Sequence, residues 1–188
     1  MSEIFLIRHG ETEWSRSGQH TGRSDIALTD RGRAQAEALG RELKDKTLTV
    51  WTSPLQRARE TSRLAGFDSP MVDPDLAEWN YGIYEGRTTA QIRADVPNWS
   101  VWDSPIVDGE TLEEVAARAR RVLDRAAAVN GDVGLFAHGH ILRILAACWA
   151  GWQPAQGKSL ALDTGTLSVL GYERETRVIR HWNIVPRG

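Results

Sequence analysis

Four consecutive apolar residues, Ile4-Phe5-Leu6-Ile7, run directly into Arg8-His9-Gly10. A short unbroken apolar run reads as a strand covered on both faces, so this one delivers a cation and an imidazole to its carboxyl end. The design recurs where Val133-Gly134-Leu135-Phe136-Ala137 ends in His138-Gly139 and a helical pattern follows through Ile141, Leu142 and Leu145. Leu48-Thr49-Val50-Trp51 predicts another short strand, leading to a helix capped by Ser53 with Pro54 in its first turn. Ala36, Leu39 and Leu43 form the apolar stripe of a helix opened by Thr29 or Asp30. Glu110 to Val129 is a longer helix, acidic at its start and carrying Arg118, Arg120, Arg121 and Arg125 further along. That polarity suits the helix dipole and reads as a solvated basic face. Leu167 to Tyr172 and Val178 to Trp182, joined by Glu173-Arg174-Glu175-Thr176, predict a hairpin at a sheet edge.

Two stretches depart from this alternation. Ser15 to Asp30 is polar and glycine-rich, and reads as an ordered loop over the strand ends. Residues 70 to 109 carry Pro70, Pro74, Pro97 and Pro105 among Trp79, Tyr81, Tyr84, Trp99 and Trp102, and read as a covering insertion with a short helix near Thr88 to Asp95. Trp99 and Trp102 are expected to pack the small core of that cover.

Length and composition narrow the classes. With 188 residues, 41% hydrophobic and 26% charged, the chain predicts a single domain over 1–188. A net charge of −2, from 23 basic and 25 acidic residues, offers neither a nucleic-acid nor a membrane surface, so an anion must be held by a local cluster. The start Met1-Ser2-Glu3-Ile4 lacks the pattern of a secretory leader and no apolar run reaches ~18 residues, which predicts a cytoplasmic protein. The lone Cys148 fits a reducing compartment and a small apolar role. It is not the nucleophile of a Cys-x5-Arg phosphatase loop, because the residue six positions on is Pro154.

The candidate chemistry follows from residue type. In open α/β sheets ligands bind beyond the carboxyl ends of the strands, where Arg8, His9 and His138 are expected. Paired guanidiniums, with Arg57 as the second, can grip a phosphate in a fixed fork. His9 could attack phosphorus if one ring nitrogen is bare and the other is pinned by an acceptor such as the Gly10 carbonyl. A protonated His138 would donate to the developing charge. A carboxyl group must then protonate the leaving alkoxide and later activate water. Glu78 is the choice, because flanking aromatics and a neighbouring dianion favour its acid form. Glu11, Glu13 and Glu85 compete by residue type.

The motifs Leu6-Ile7-Arg8-His9-Gly10-Glu11-Thr12-Glu13-Trp14, Thr21-Gly22, Leu28-Thr29-Asp30-Arg31-Gly32, Ser53-Pro54-Leu55-Gln56-Arg57-Ala58-Arg59-Glu60-Thr61, Glu78-x3-Gly82-x2-Glu85-Gly86, Gly109-Glu110-Thr111 and His138-Gly139-His140 occur in this order across most of the chain. Together they resemble the histidine phosphatase superfamily, the phosphoglycerate mutase-like proteins. The resemblance implies a three-layer α/β/α sandwich with a largely parallel six-stranded sheet, no metal and no cofactor. It implies that His9 is the nucleophile, that Arg8, Arg57 and His138 bind the phosphoryl group, and that Glu78 is the proton donor. Ser15 stands where mutases place an Asn that touches the phosphate.

Within the superfamily the chain looks more like the small acid-phosphatase and sugar-phosphate phosphatase members, and it stops at Gly188 without the longer tail of the mutases. The expected partner is a small phosphorylated substrate. Ser15, Thr21, Gly22, Tyr81, Gly139 and Arg143 are its candidate contacts, with His20 and Trp79 as weaker ones. A phosphoglycerate mutase and a non-catalytic phospho-ligand-binding protein are the alternatives. A metal site on His138 and His140 would need further ligands that the spacing does not offer. The oligomeric state is left open, with a homodimer as one option.

Overall fold

The computed structural model describes residues 2–186, so Met1, Arg187 and Gly188 lie outside it. Six strands form one sheet: β1 (Ile4–Arg8), β2 (Leu48–Thr52), β3 (Met71–Val72), β4 (Asp132–Ala137), β5 (Leu167–Glu173) and β6 (Thr176–Ile184). Their spatial order is β3-β2-β4-β1-β5-β6. The first four run parallel, while β5 is antiparallel to β1 and β6 to β5, so the sequence-predicted hairpin closes one edge. The helices are α1 (Glu13–Ser17), α2 (Asp30–Leu43), α3 (Gln56–Leu64), α4 (Thr89–Asp95), α5 (Leu112–Ala127) and α6 (Gly139–Trp149). Among the described residues no helix is long and apolar enough to cross a membrane.

Side chains alternate across a strand, and β1 divides its four apolar residues between two cores. Phe5 and Ile7 pack with Leu39 and Leu43 of α2 and Phe136 of β4. Ile4 and Leu6 face Val115, Val122 and Leu123 of α5 and Ile141, Ile144 and Leu145 of α6. Helices therefore cover both faces of the sheet, in three layers. Trp99 and Trp102 pack under the cover as expected, Trp99 against Tyr84 and Trp102 edge-on to Trp79.

The cap expected at the start of α2 is present: Thr29 accepts from the Gly32 amide. At the start of α5 the structure adds a capping box between Thr111 and Glu114. Other expectations need correction. Ser53 does not cap α3, which begins at Gln56 after Leu55; its hydroxyl meets His138 and accepts from the Leu55 amide ahead of the helix. The stretch read as a loop from Ser15 begins inside the one-turn helix α1, which runs to Ser17, and the first residues of the covering segment supply the edge strand β3. The basic face of α5 is not simply solvated: Arg118 is buried, and Arg121 and Arg125 pair with Asp75 and Asp73.

Gly10 and Gly32 let the turn after β1 lie against the first turn of α2, backbone on backbone. A Cβ on Gly32 would come within 2.1 Å of the Glu11 carbonyl oxygen, and one on Gly10 within 2.2 Å of the Gly32 oxygen. At Gly134 in β4 the nearest atom would be a Leu48 methyl at 3.3 Å, which can yield. Gly32→Ala is expected to destabilise by roughly 3 kcal/mol in urea unfolding and Gly134→Ala by under about 1 kcal/mol. Equal effects would show that the α2 contact is not tight.

Candidate active site

Register builds the site. β1 and β4 pair with Ile7 opposite Phe136 and Arg8 opposite Ala137, so the two His-Gly ends emerge side by side. The His9 amide donates to the Ala137 carbonyl at 3.0 Å, and the Ser53 amide at the end of β2 donates to the Phe136 carbonyl at 2.9 Å. The imidazole centres of His9 and His138 lie 5.1 Å apart.

His9 Nδ1 is 2.7 Å from the Gly10 carbonyl, which can only accept, so Nδ1 carries the proton and Nε2 is left bare. Burial, then the charges of Arg57 and Arg8, push the His9 pKa well below its ordinary value. Arg8 binds the Leu162 carbonyl through Nη1, while its Nε is buried without a partner. An orphaned guanidinium donor beside a bare imidazole nitrogen is a site awaiting an acceptor.

Arg57 is fully buried and largely committed. Its Nε donates to His138 Nδ1 at 3.0 Å, and its two Nη atoms to the carbonyls of Ser24, Thr21 and Gly22. Since Arg57 can only donate, His138 Nδ1 is an acceptor, and His138 Nε2 is free to donate to Ser53 Oγ at 2.7 Å. Burial and the Arg57 charge hold the His138 pKa well below its usual range. The protonated His138 expected from sequence is therefore not present, because a permanent cation already faces its ring. Ser53, which sequence reading missed as a site residue, takes up the proton-bearing side of that ring. Its Ser-Pro context signalled only a helix start.

Glu78 lies on the chain between the 3-10 turn Pro74–Leu76 and Tyr81, buried against the N-terminus of α6. Oε1 accepts from the amides of Trp79 and Ile141 at 2.9 and 3.0 Å, and Oε2 from that of His140 at 2.9 Å. Oε1 thus has both lone pairs used, and Oε2 keeps one that can carry a proton. His140 is hydrogen-bonded through Nδ1 to the Tyr81 hydroxyl at 2.6 Å. Burial and Glu78 raise the Tyr81 pKa, so it remains a phenol.

These groups surround a cavity of about 180 Å³. Of the residues singled out from sequence, Arg8, His9, Ser15, His20, Thr21, Glu78, Tyr81, Gly139, His140 and Arg143 line it. Arg57 and His138 stand behind the wall, and Gly22 serves the wall from outside, giving its carbonyl to Arg57 and its amide to Glu85. The competing carboxylates are elsewhere: Glu11 accepts from Thr29, Glu13 pairs with Arg16, and Glu85 holds the amides of Gly22 and Ser24. A larger open depression of about 600 Å³ beside Arg59 and Glu60 contains no histidine. His138 and His140 turn to different partners, and among the described residues no three His, Cys, Asp or Glu side chains are grouped to hold a metal ion.

A bare imidazole nitrogen, a guanidinium with one unmet donor and a buried carboxyl group thus meet at one cavity beyond the strand ends of an α/β sheet. The family model of the histidine phosphatase superfamily (branch 1) matches residues 4–185, and the chain belongs to that superfamily. An acid phosphatase of Mycobacterium tuberculosis is 39% identical over 183 residues, covering 93% of this chain and 88% of that protein. The sedoheptulose 1,7-bisphosphatase of Saccharomyces cerevisiae is 34% identical, covering 78% and 67% respectively. The solved structure of a Mycobacterium tuberculosis open reading frame superposes with a TM-score of 0.95 at 36% identity, covering 99% of both chains. The protein is a phosphatase of the histidine phosphatase type.

Four histidines, His9, His20, His138 and His140, have pKa values lowered first by burial, His20 to about 4. Each binds its proton more readily when unfolded, so the stability gained by burying it neutral is complete above pH 6.5 and lost as pH falls toward the folded values. Urea-unfolding free energy is expected to decline from pH 6.5 downward, and His20→Gln to reduce that slope by about one proton. A flat profile between pH 6.5 and 4.5 would contradict the buried neutral state.

Proposed function

We propose that the protein hydrolyses a small phosphate monoester through a phosphohistidine on His9, without a metal ion. The observation that carries the reading is the His9 imidazole, pinned at Nδ1 with Nε2 bare, beside a buried Arg8 Nε that lacks a partner. In the first step the Nε2 lone pair forms the N–P bond as the P–O bond to the leaving group breaks. The alkoxide takes its proton from Glu78 Oε2. In the second step water attacks phosphorus, the N–P bond breaks, and the water proton returns to Glu78. Arg8 supplies charge and donors to the phosphoryl oxygens, and Arg57 adds a fixed positive field from behind His138.

The small cavity favours a compact substrate, and the acid and sugar-bisphosphate phosphatase relatives support the monoester class. Ser15, Thr21, Tyr81, Gly139 and Arg143 line that cavity, which supports them as the substrate contacts. Arg143 is held by the carbonyls of Gly157 and Lys158 and stacked 4.7 Å over Trp102, which orients its charge on the wall.

His9→Ala is expected to abolish turnover, by about 10⁶-fold or down to background, while leaving the fold intact. Wild-type enzyme quenched in alkali during turnover of 32P-labelled ester is expected to carry an acid-labile label that His9→Ala lacks. Substantial turnover in the variant would remove the covalent mechanism. Because the His9 pKa is depressed, the acidic limb of kcat/KM is expected well below pH 6.5. Chelators are expected to leave the rate unchanged. Glu78→Gln is expected to slow alkyl phosphates far more than an activated aryl phosphate, since only the former need a proton on the leaving oxygen.

A further inference from the structure

Arg118 is a buried cation of α5 of which the proposed mechanism makes no use. It rises from α5 with a side chain 7% exposed, and all of its N–H donors find acceptors. Nε donates to Glu110 Oε1 at 2.9 Å. Nη1 donates to the carbonyls of Asp75 and Ala77, and Nη2 to the Glu78 carbonyl at 3.1 Å and to Glu110 Oε2 at 3.1 Å. Three of these five acceptors are main-chain oxygens of the short stretch that ends at Glu78.

Glu110, just ahead of α5, grips the same stretch from its other side. Its Oε2 accepts from the Asn80 amide at 2.8 Å, its carbonyl from Trp79 Nε1 at 2.7 Å, and its own amide donates to the Asn80 carbonyl at 3.0 Å. The ion pair therefore spans residues 75 to 80 with Glu78 between its two ends. The stretch needs such a hold. After the single 3-10 turn Pro74–Leu76 it has no regular secondary structure of its own, so its backbone groups must be satisfied by other elements. Meanwhile α6 receives the Glu78 carboxylate through the amides of His140 and Ile141. The backbone is thus set by α5 and the carboxylate by α6, two helices packed on the same face of the sheet.

We infer that Arg118 and Glu110 are positioning residues for the general acid, holding the Glu78 backbone so that Oε2 reaches the leaving oxygen. This rests on the reading of Glu78 as proton donor. A guanidinium suits the task because its planar fork meets three carbonyls and a carboxylate at once, which a lysine ammonium cannot do in the same plane. A displacement of about 1 Å at a reacting group can cost about 10²-fold in rate, so a loosened stretch would be felt in the step that needs the proton.

The test compares Arg118→Gln, Arg118→Lys and Glu110→Gln with Glu78→Gln. Each is assayed on an alkyl phosphate and on an activated aryl phosphate, well below its measured Tm. Arg118→Gln is expected to lose about 10²-fold in kcat on the alkyl ester and only a few-fold on the aryl ester, with KM little changed. Arg118→Lys and Glu110→Gln, which keep part of the bonding, are expected to show the same selectivity in weaker form. Added guanidinium ion is expected to restore part of the alkyl activity of Arg118→Gln. Equal losses on both esters, or no loss in any variant, would overturn the assignment even if Glu78→Gln is selective for the alkyl ester. Glu78→Gln without that selectivity would overturn it together with the acid role. Failure of the wild type to hydrolyse either ester would remove the phosphatase reading itself.

Discussion

The pairing of β1 with β4 is the constraint on which the rest depends. Because the two strands are parallel neighbours and in step, the residue after each ends up beside the other, and His9 meets His138. A slip of one residue would turn every β1 side chain to the opposite face, exchanging the two cores and sending His9 away from the cavity. The hydrophobic division of Ile4 and Leu6 from Phe5 and Ile7 therefore holds the register of the cavity residues as well as the fold. β2 joins on the other side of β4 and places Ser53 at the same level.

Buried cations then set the protonation of the site. A guanidinium out of water is costly unless its donors are met, and the structure meets this in two ways. Arg57 and Arg118 are given carbonyls, an imidazole and a carboxylate, and become fixed supports. Arg8 retains an unmet buried donor. Burial first, and then the same positive field, keeps His9 and His138 neutral. The tension between buried charge and neutral imidazole is resolved by orientation: each ring presents a nitrogen lone pair or N–H according to the neighbour it faces.

Glu78 is placed by a different principle. Its carboxylate sits at the amide-rich end of α6, where the helix dipole and free N–H groups receive negative charge. The helix that follows His138 thereby also receives the carboxyl group, which explains how a segment remote in sequence from both His-Gly ends reaches the same cavity. The aromatic cover, with Trp99 and Trp102 inside it, seals the outer side of that arrangement.

Five of the strands, the cap at Thr29, the edge hairpin and the two His-Gly ends were legible in the amino-acid order, because each depends on neighbours a few residues away and on the periodicity of burial. So was the choice of Arg8, His9 and Glu78 as cavity residues, from strand ends and a family-like motif. Tertiary structure alone decided which way the polar atoms turn. Arg118 reads in sequence as one more arginine on a basic helix, yet three of its five acceptors lie about forty residues upstream. Ser53 has the signature of a helix cap, yet a ring 85 positions away takes its hydroxyl. His138 could have been charged, until Arg57 from another helix presented a hydrogen to its ring. Local sequence determines where a side chain starts, while the protonation and bonding of a buried polar group are set by whatever the folded chain brings to face it.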